Sequence, residues 1–174
     1  MSKKNLGLSR VSLFIALLAV VIAISPSYLC AIEPNQKAPD FSLPSLQGKS
    51  VNLSDYRGKV VYLDFWASWC APCQHTLPWM SVLQKKYAAQ DFVVLAVSVD
   101  KNKADAEKAL AKFAPSFEVL LDATGVAASK YALPKMPTSF LIGKDGSVVS
   151  IHPGFGEGDD VKIEAEISRL LSIR

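Results

Sequence analysis

Apolar and polar residues alternate along this chain with two distinct periods. Val60 to Trp66 is almost continuously apolar and β-branched at its start, which predicts a strand buried on both faces. Phe92 to Val99 has the same character, and Phe117 to Leu121 is a shorter run. Weak alternation in Asp40 to Leu46 and Ser50 to Leu53, around Gln47-Gly48-Lys49, predicts a β-hairpin. Thr138 to Ile142 and Ser147 to Ile151 predict another around Lys144-Asp145-Gly146. Helical spacing takes over in Ala71 to Ala89, where Leu77, Met80, Leu83 and Tyr87 share a face and Pro78 is expected to kink the helix. Lys103 to Phe113 reads as a surface helix rich in Ala and Lys, and Asp122 as the cap of a helix through Tyr131. Asp159 to Leu171 closes the chain as a helix with Val161, Ile163, Ile167, Leu170 and Leu171 apolar. Asp55 to Gly58 reads as a turn, and the three prolines in Glu33 to Pro44 predict an extended tether. Strands alternating with helices, then a terminal hairpin and helix, argue an α/β layered domain.

Composition adds an address to this picture. Half of the 174 residues are hydrophobic, enough for one domain with a core. The formal charge is +3, yet removing Lys3, Lys4 and Arg10 leaves 16 basic against 16 acidic residues. The excess charge is thus terminal, and no nucleic-acid patch is implied. Those three cations precede a 14-residue apolar run, Val11 to Ile24, ended by Ser25-Pro26-Ser27. This pattern is that of an export signal cut after Ser27 or, if retained, of an N-terminal membrane anchor. The chain therefore divides into a leader at 1–30, a tether at 31–39 and a domain at 40–174. Cys30 is an incidental thiol at the leader's end, since Tyr28-Leu29 before it do not suit lipid attachment.

The candidate chemistry lies in Trp69-Cys70-Ala71-Pro72-Cys73, between the first buried strand and the first helix. Two thiols at this spacing can close and reopen a small disulfide ring. A helix N-terminus favours thiolate over thiol, and thiolate is the species that attacks disulfides. Cys70 is the candidate nucleophile and Cys73 the resolving thiol, with Pro72 stiffening the turn and Trp69 as a partly exposed apolar wall beside the sulfur. Three cysteines are too few for a disulfide-stapled scaffold. A zinc site needs about four N/S ligands, and beyond this pair only Cys30, His75 and His152 are available. No metal and no cofactor beyond the Cys70–Cys73 disulfide is expected. The rival reading is a copper-binding module that uses the two thiols as soft ligands.

Asp64 lies within the first buried run, where a carboxyl is costly unless paired. It is a candidate proton acceptor for Cys73. A solvated or ion-paired Asp near the strand end is the plainer alternative. Met136-Pro137-Thr138, between a helix and a strand, fits either an ordinary turn or a cis peptide.

Asp64-Phe65-Trp66-Ala67-Ser68-Trp69-Cys70-Ala71-Pro72-Cys73 and the later Met136-Pro137-Thr138 together resemble the thioredoxin superfamily. Ala38-Pro39-Asp40-Phe41-Ser42-Leu43 and Leu53-Ser54-Asp55-Tyr56-Arg57-Gly58-Lys59 are similar to its exported branch, the TlpA, ResA and CcmG-like proteins allied to the AhpC/TSA family. The resemblance covers about residues 35–172. It implies a thioredoxin fold, a central mixed β-sheet flanked by helices, with an N-terminal β-hairpin and an inserted helix and strand between about Lys101 and Leu121. It implies that Pro137 is a cis-proline facing the disulfide, that Met136 pairs through its backbone with an extended substrate beside Thr138, and that Asp64 matches the buried acid of thioredoxin. It implies a monomeric reductase of disulfide-containing exported clients, apocytochrome c among them. Electrons would come from a membrane donor of the DsbD or CcdA kind. Two positions depart from relatives. Thr76 stands where ResA-like proteins carry a glutamate, and Ala67 stands where peroxiredoxins need a threonine, which argues against peroxidase activity.

Overall fold

The computed structural model describes residues 32–173. The predicted leader and Cys30 lie outside them. Five strands form a mixed sheet in the order β5-β4-β3-β6-β7. The strands are β3 (Val60–Trp66), β4 (Phe92–Ser98), β5 (Glu118–Leu121), β6 (Thr138–Ile142) and β7 (Val148–Pro153). β3, β4 and β5 run parallel, whereas β6 is antiparallel to β3 and β7 to β6. Each parallel step needs a crossover, and the helices α1 (Ala71–Lys86) and α2 (Lys103–Leu110) supply them. α3 (Val126–Lys130) leads to β6, and α4 (Asp159–Ser172) ends the chain. A small antiparallel pair, β1 (Ser42–Pro44) and β2 (Ser50–Asn52), stands apart as the predicted hairpin. The mixed sheet, flanking helices and hairpin are the architecture that the resemblance implied, and α2 with β5 is the inserted element.

β3 occupies the centre, and all seven of its residues are buried. Alternation splits its side chains between two cores. Tyr62 and Trp66 pack with Leu77, Met80 and Leu83 of α1 and Ile163 and Ile167 of α4. Val61, Leu63 and Phe65 pack with Phe140, Tyr131 and the hairpin residues Leu43 and Val51. Central placement explains the unbroken apolar run, since neither face meets water.

Several boundaries move for local reasons. α1 ends at Lys86, earlier than its periodicity suggests, and continues unbroken through Pro78. α2 stops at Leu110, short of Phe113, because Ala114 has φ 29° and Pro115 follows. α3 starts only at Val126, after Gly125 at φ 72°. Its N-cap is Gly125 rather than the predicted Asp122, which lies three residues earlier and whose Oδ2 accepts from the Ala128 N–H at 2.8 Å. Val161, predicted as a core position of α4, is exposed, so the buried stripe is Ile163 and Ile167. The stretch read as a tether is docked on the domain surface. Asn35 N–H donates to the Val148 carbonyl (2.7 Å), Val148 N–H to Gln36 (2.8 Å) and Ala38 N–H to Gly146 (3.0 Å). Tyr131 Oη donates to the Pro39 carbonyl at 2.9 Å. Prolines exclude a helix there, but their neighbours still pair with β7 and bury Ile32 and Ala38.

Candidate active site

Cys70 caps α1 from an extended conformation (φ −89°, ψ 99°), and Pro72 sits in the first turn, where no intrahelical N–H is lost. Its sulfur is bonded to Cys73, with the two Cα atoms 5.3 Å apart. Cys70 Sγ also accepts from the Cys73 N–H at 3.3 Å, so a first-turn donor of the helix points at it. Cys70 retains 5% exposure, while Cys73 has none. A partner sulfur can therefore reach Cys70 and not Cys73. Trp69 beside them is 70% exposed, an apolar wall on the open side.

Asp64 lies mid-strand on the face that Tyr62 and Trp66 turn toward α1, and it is 1% exposed. Among the described residues it has no ion-pair partner and no hydrogen bond, and its Oδ2 is fully buried. Burial pushes its carboxyl well above the ordinary carboxylate range. Across the β3–β6 ladder it faces Ser139, whose Oγ accepts from Tyr62 Oη at 2.8 Å. Burial, and then the nearby Asp64, drives the Tyr62 phenol far up. Thr76 is fully buried, and its Oγ1 donates to the Cys73 carbonyl at 2.8 Å, a role internal to α1.

The Met136–Pro137 peptide is cis, which settles the choice left open between a turn and a cis bond. Thr138 Oγ1 donates to the Lys135 carbonyl at 2.7 Å, and Gly154 N–H donates to the Pro137 carbonyl at 2.7 Å. Among the described residues no backbone–backbone hydrogen bond uses the Met136 N–H or C=O. Met136 is half-buried and packs on the core that holds the cysteines. Phe155, after β7, stacks on Trp79 of α1 at 5.3 Å between centroids.

His75 is exposed on α1, and His152 Nε2 lies 3.2 Å from Glu166 Oε2 on the β7–α4 side. Sequence reasoning missed Asp100, which is 4% exposed and bonds to Ser68 just before the disulfide. The signal was there. Asp100 directly follows the buried run Phe92 to Val99, and the structure places that strand parallel beside the one that leads to Cys70, at the carboxyl ends where α/β sites assemble.

A mixed five-stranded sheet carrying a Cys-Ala-Pro-Cys disulfide at a helix start, with a cis-proline in the loop before β6, defines a thiol–disulfide oxidoreductase of thioredoxin fold. The chain belongs to the AhpC/TSA family, whose model matches residues 34–151. It is 38% identical over 136 residues to the thiol-disulfide oxidoreductase ResA of Geobacillus thermodenitrificans, covering 78% of each chain. It is 34% identical over 170 residues to ResA of Geobacillus kaustophilus, covering 95% of this chain and 98% of that one. Among solved structures it is similar to a Chlorobium tepidum protein assigned as the thiol:disulfide interchange protein DsbE. That likeness has 45% identity and a TM-score of 0.79, over 82% of this chain and 100% of the other. These relatives do not favour the copper-binding reading.

Proposed function

We propose that the chain is an extracytoplasmic reductase that passes two electrons from the Cys70–Cys73 dithiol to disulfides of exported proteins, cytochrome c precursors among them. One observation carries the reading. A reachable sulfur at a helix N-terminus is bonded to an unreachable one a turn further on. In the reduced protein the Cys70 thiolate attacks one sulfur of the client disulfide. A mixed disulfide forms, and the client's other sulfur leaves as thiolate and takes up a proton. Cys73 then gives its proton to Asp64, and its thiolate attacks Cys70 Sγ. The second client sulfur departs, and the Cys70–Cys73 bond re-forms. Asp64 suits this task because its raised pKa makes it a stronger base than an ordinary carboxylate once it is unprotonated. Met136 receives the client as an added strand, with Trp69, Pro72 and Pro137 shaping the groove. Thr138, predicted beside them, is fully buried and holds the loop from within through the Lys135 carbonyl.

Extracytoplasmic action is supported by the cationic and apolar leader and by likeness to an exposed lipoprotein thioredoxin of Streptococcus pneumoniae (37% identity, TM-score 0.63). Likeness to ResA and DsbE supports thiol–disulfide exchange. The reducing direction, and a membrane dithiol donor of the DsbD or CcdA kind that restores the Cys70–Cys73 thiols, are what the sequence resemblance to the exported thioredoxin branch implies. The test is insulin reduction with dithiothreitol as donor, together with the reduction potential of the pair. Wild type is expected to turn over with a potential nearer that of thioredoxin, about −270 mV, than that of a strong oxidant, about −120 mV. Cys70→Ser is expected to be inactive, and Cys73→Ser to accumulate mixed disulfides. An inert wild type, or a potential at the oxidant end, overturns the proposal.

A further inference from the structure

The loop that delivers Cys70 is gripped at one residue. Ser68, two positions before the cysteine, has all three of its polar groups engaged by side chains. Its N–H donates to both carboxylate oxygens of Asp100, at 3.2 and 3.0 Å. Its Oγ donates to Asp100 Oδ1 at 2.7 Å. Its carbonyl accepts from Gln74 Nε2 of α1 at 2.9 Å. A half-buried loop serine would ordinarily leave such groups to water. Here two of them, the N–H and the hydroxyl, bind a carboxylate that is itself 4% exposed.

Asp100 is in turn fixed to the sheet. Ser98 Oγ donates to its Oδ2 at 2.8 Å, and its own N–H donates back to Ser98 Oγ at 3.1 Å. Ser98 is fully buried and sits between Trp66 of β3 and Leu121 of β5 in the ladder. Val99 N–H adds a bond to the Trp66 carbonyl at 3.0 Å. Asp100 has no cationic partner among the described residues. A buried, unpaired carboxylate is costly, and its hydrogen bonds here offset that cost only while Ser68 stays in place.

We propose that Asp100 is a positioning residue for Cys70, acting through Ser68. The inference rests on the exchange chemistry proposed above. In the oxidised protein the disulfide ring already holds Cys70 beside the helix. Reduction or mixed-disulfide formation opens that ring. Cys70 is then kept in place only by its turn, whose backbone bonds are Cys70 N–H to the Ala67 carbonyl (3.1 Å) and Gln74 N–H to the Cys70 carbonyl (3.3 Å). The Asp100–Ser68–Gln74 clamp ties this turn to β4 on one side and to α1 on the other. The clamp therefore acts where the chemistry needs it. It keeps the Cys70 thiolate against the Cys73 N–H and keeps Cys70 Sγ in line for attack by Cys73.

The test compares Asp100→Ala, Asp100→Asn and Ser68→Ala in the full chain. Two readouts are used: the Cys70 thiolate pKa of the reduced protein, from ultraviolet thiolate absorbance, and the single-turnover rate at which Cys73 releases a preformed mixed disulfide with a small aromatic thiol. Asp100→Ala is expected to raise the thiolate pKa and to slow release about tenfold, the loss of the hydrogen bonds that hold Ser68. Asp100→Asn keeps a carbonyl oxygen that accepts both Ser68 donors, so it should stay within about twofold of wild type. Ser68→Ala removes one bond, leaves Asp100 in place, and should slow release about threefold, which keeps the test alive if Asp100→Ala does not fold. Wild-type values in all three variants overturn the inference. So does an Asn variant as impaired as the Ala variant, because the charge and not the clamp would then matter. The pKa readout needs no client, so an inert wild type in the insulin assay counts against the reductase reading alone.

Discussion

Replacing Asp64 with Asn should stabilise the folded chain and slow it as a catalyst, and the stability effect should depend on pH with a definite sign. The carboxyl is 1% exposed and, among the described residues, has no ion-pair partner and no hydrogen bond. Burial raises its pKa in the folded state, whereas the unfolded chain releases the same proton near the ordinary value of about 3.9. Above that pH the folded state binds more protons than the unfolded one. The contribution of this site to stability is therefore greatest in acid and falls as pH climbs from the unfolded toward the folded pKa. Asn has the same shape and cannot ionise, so it escapes the fall. Leaving a buried polar group unsatisfied costs about 1–3 kcal/mol, and more if it is charged. At roughly 2.1 cal/mol/K per residue, about 140 described residues convert a gain of 2 kcal/mol into ~7 °C of Tm. The assay is thermal and urea unfolding of oxidised wild type and Asp64→Asn across about pH 4 to 9. The gap between them should be near zero at the acid end and widest at the alkaline end. Insulin reduction by the variant should fall by about 100-fold, the lower end of what a general base supplies. Parallel stability curves for the two proteins across that range would refute the reasoning, as would a variant that loses stability relative to wild type as pH rises.

Two further outcomes concern the scaffold. Leu77→Ala empties a fully buried position between α1 and the sheet and should cost about 2–5 kcal/mol, read from the urea midpoint at constant slope. Gly146, at φ 79° in the β6–β7 turn, lies against the Arg57 guanidinium, so Gly146→Ala should cost about 1–2 kcal/mol from backbone handedness and crowding together. Pairing it with Arg57→Ala should recover only the crowding part.

Much of this molecule was written in local sequence. Val60 to Trp66 announced a central strand because a strand covered on both faces has no reason to alternate. The disulfide followed from two thiols a turn apart at a helix start, a relation internal to four residues. Both hairpins were legible from turn residues between short runs. Helix ends were less legible, since α2 and α3 are bounded by the positive φ of Ala114 and Gly125, which periodicity does not reveal.

What only tertiary structure decided were relations between distant segments. Residues 32–39 look like a tether in isolation, because prolines and polar groups say nothing of the β7 backbone they pair with. Val161 fits an apolar stripe by spacing, yet the neighbouring layer covers Ile163 and Ile167 instead. Asp64 was conspicuous in sequence, but its lack of a partner among the described residues could be learned only once the space around it was filled. Asp100 and Ser68, 32 residues apart, meet because β3 and β4 run parallel and end side by side. Periodicity records how a segment is wetted, so the chain alone yields its elements and its reactive pair. Hydrogen bonds between segments depend on which strand ends the sheet brings together, and that is fixed only when the layers pack.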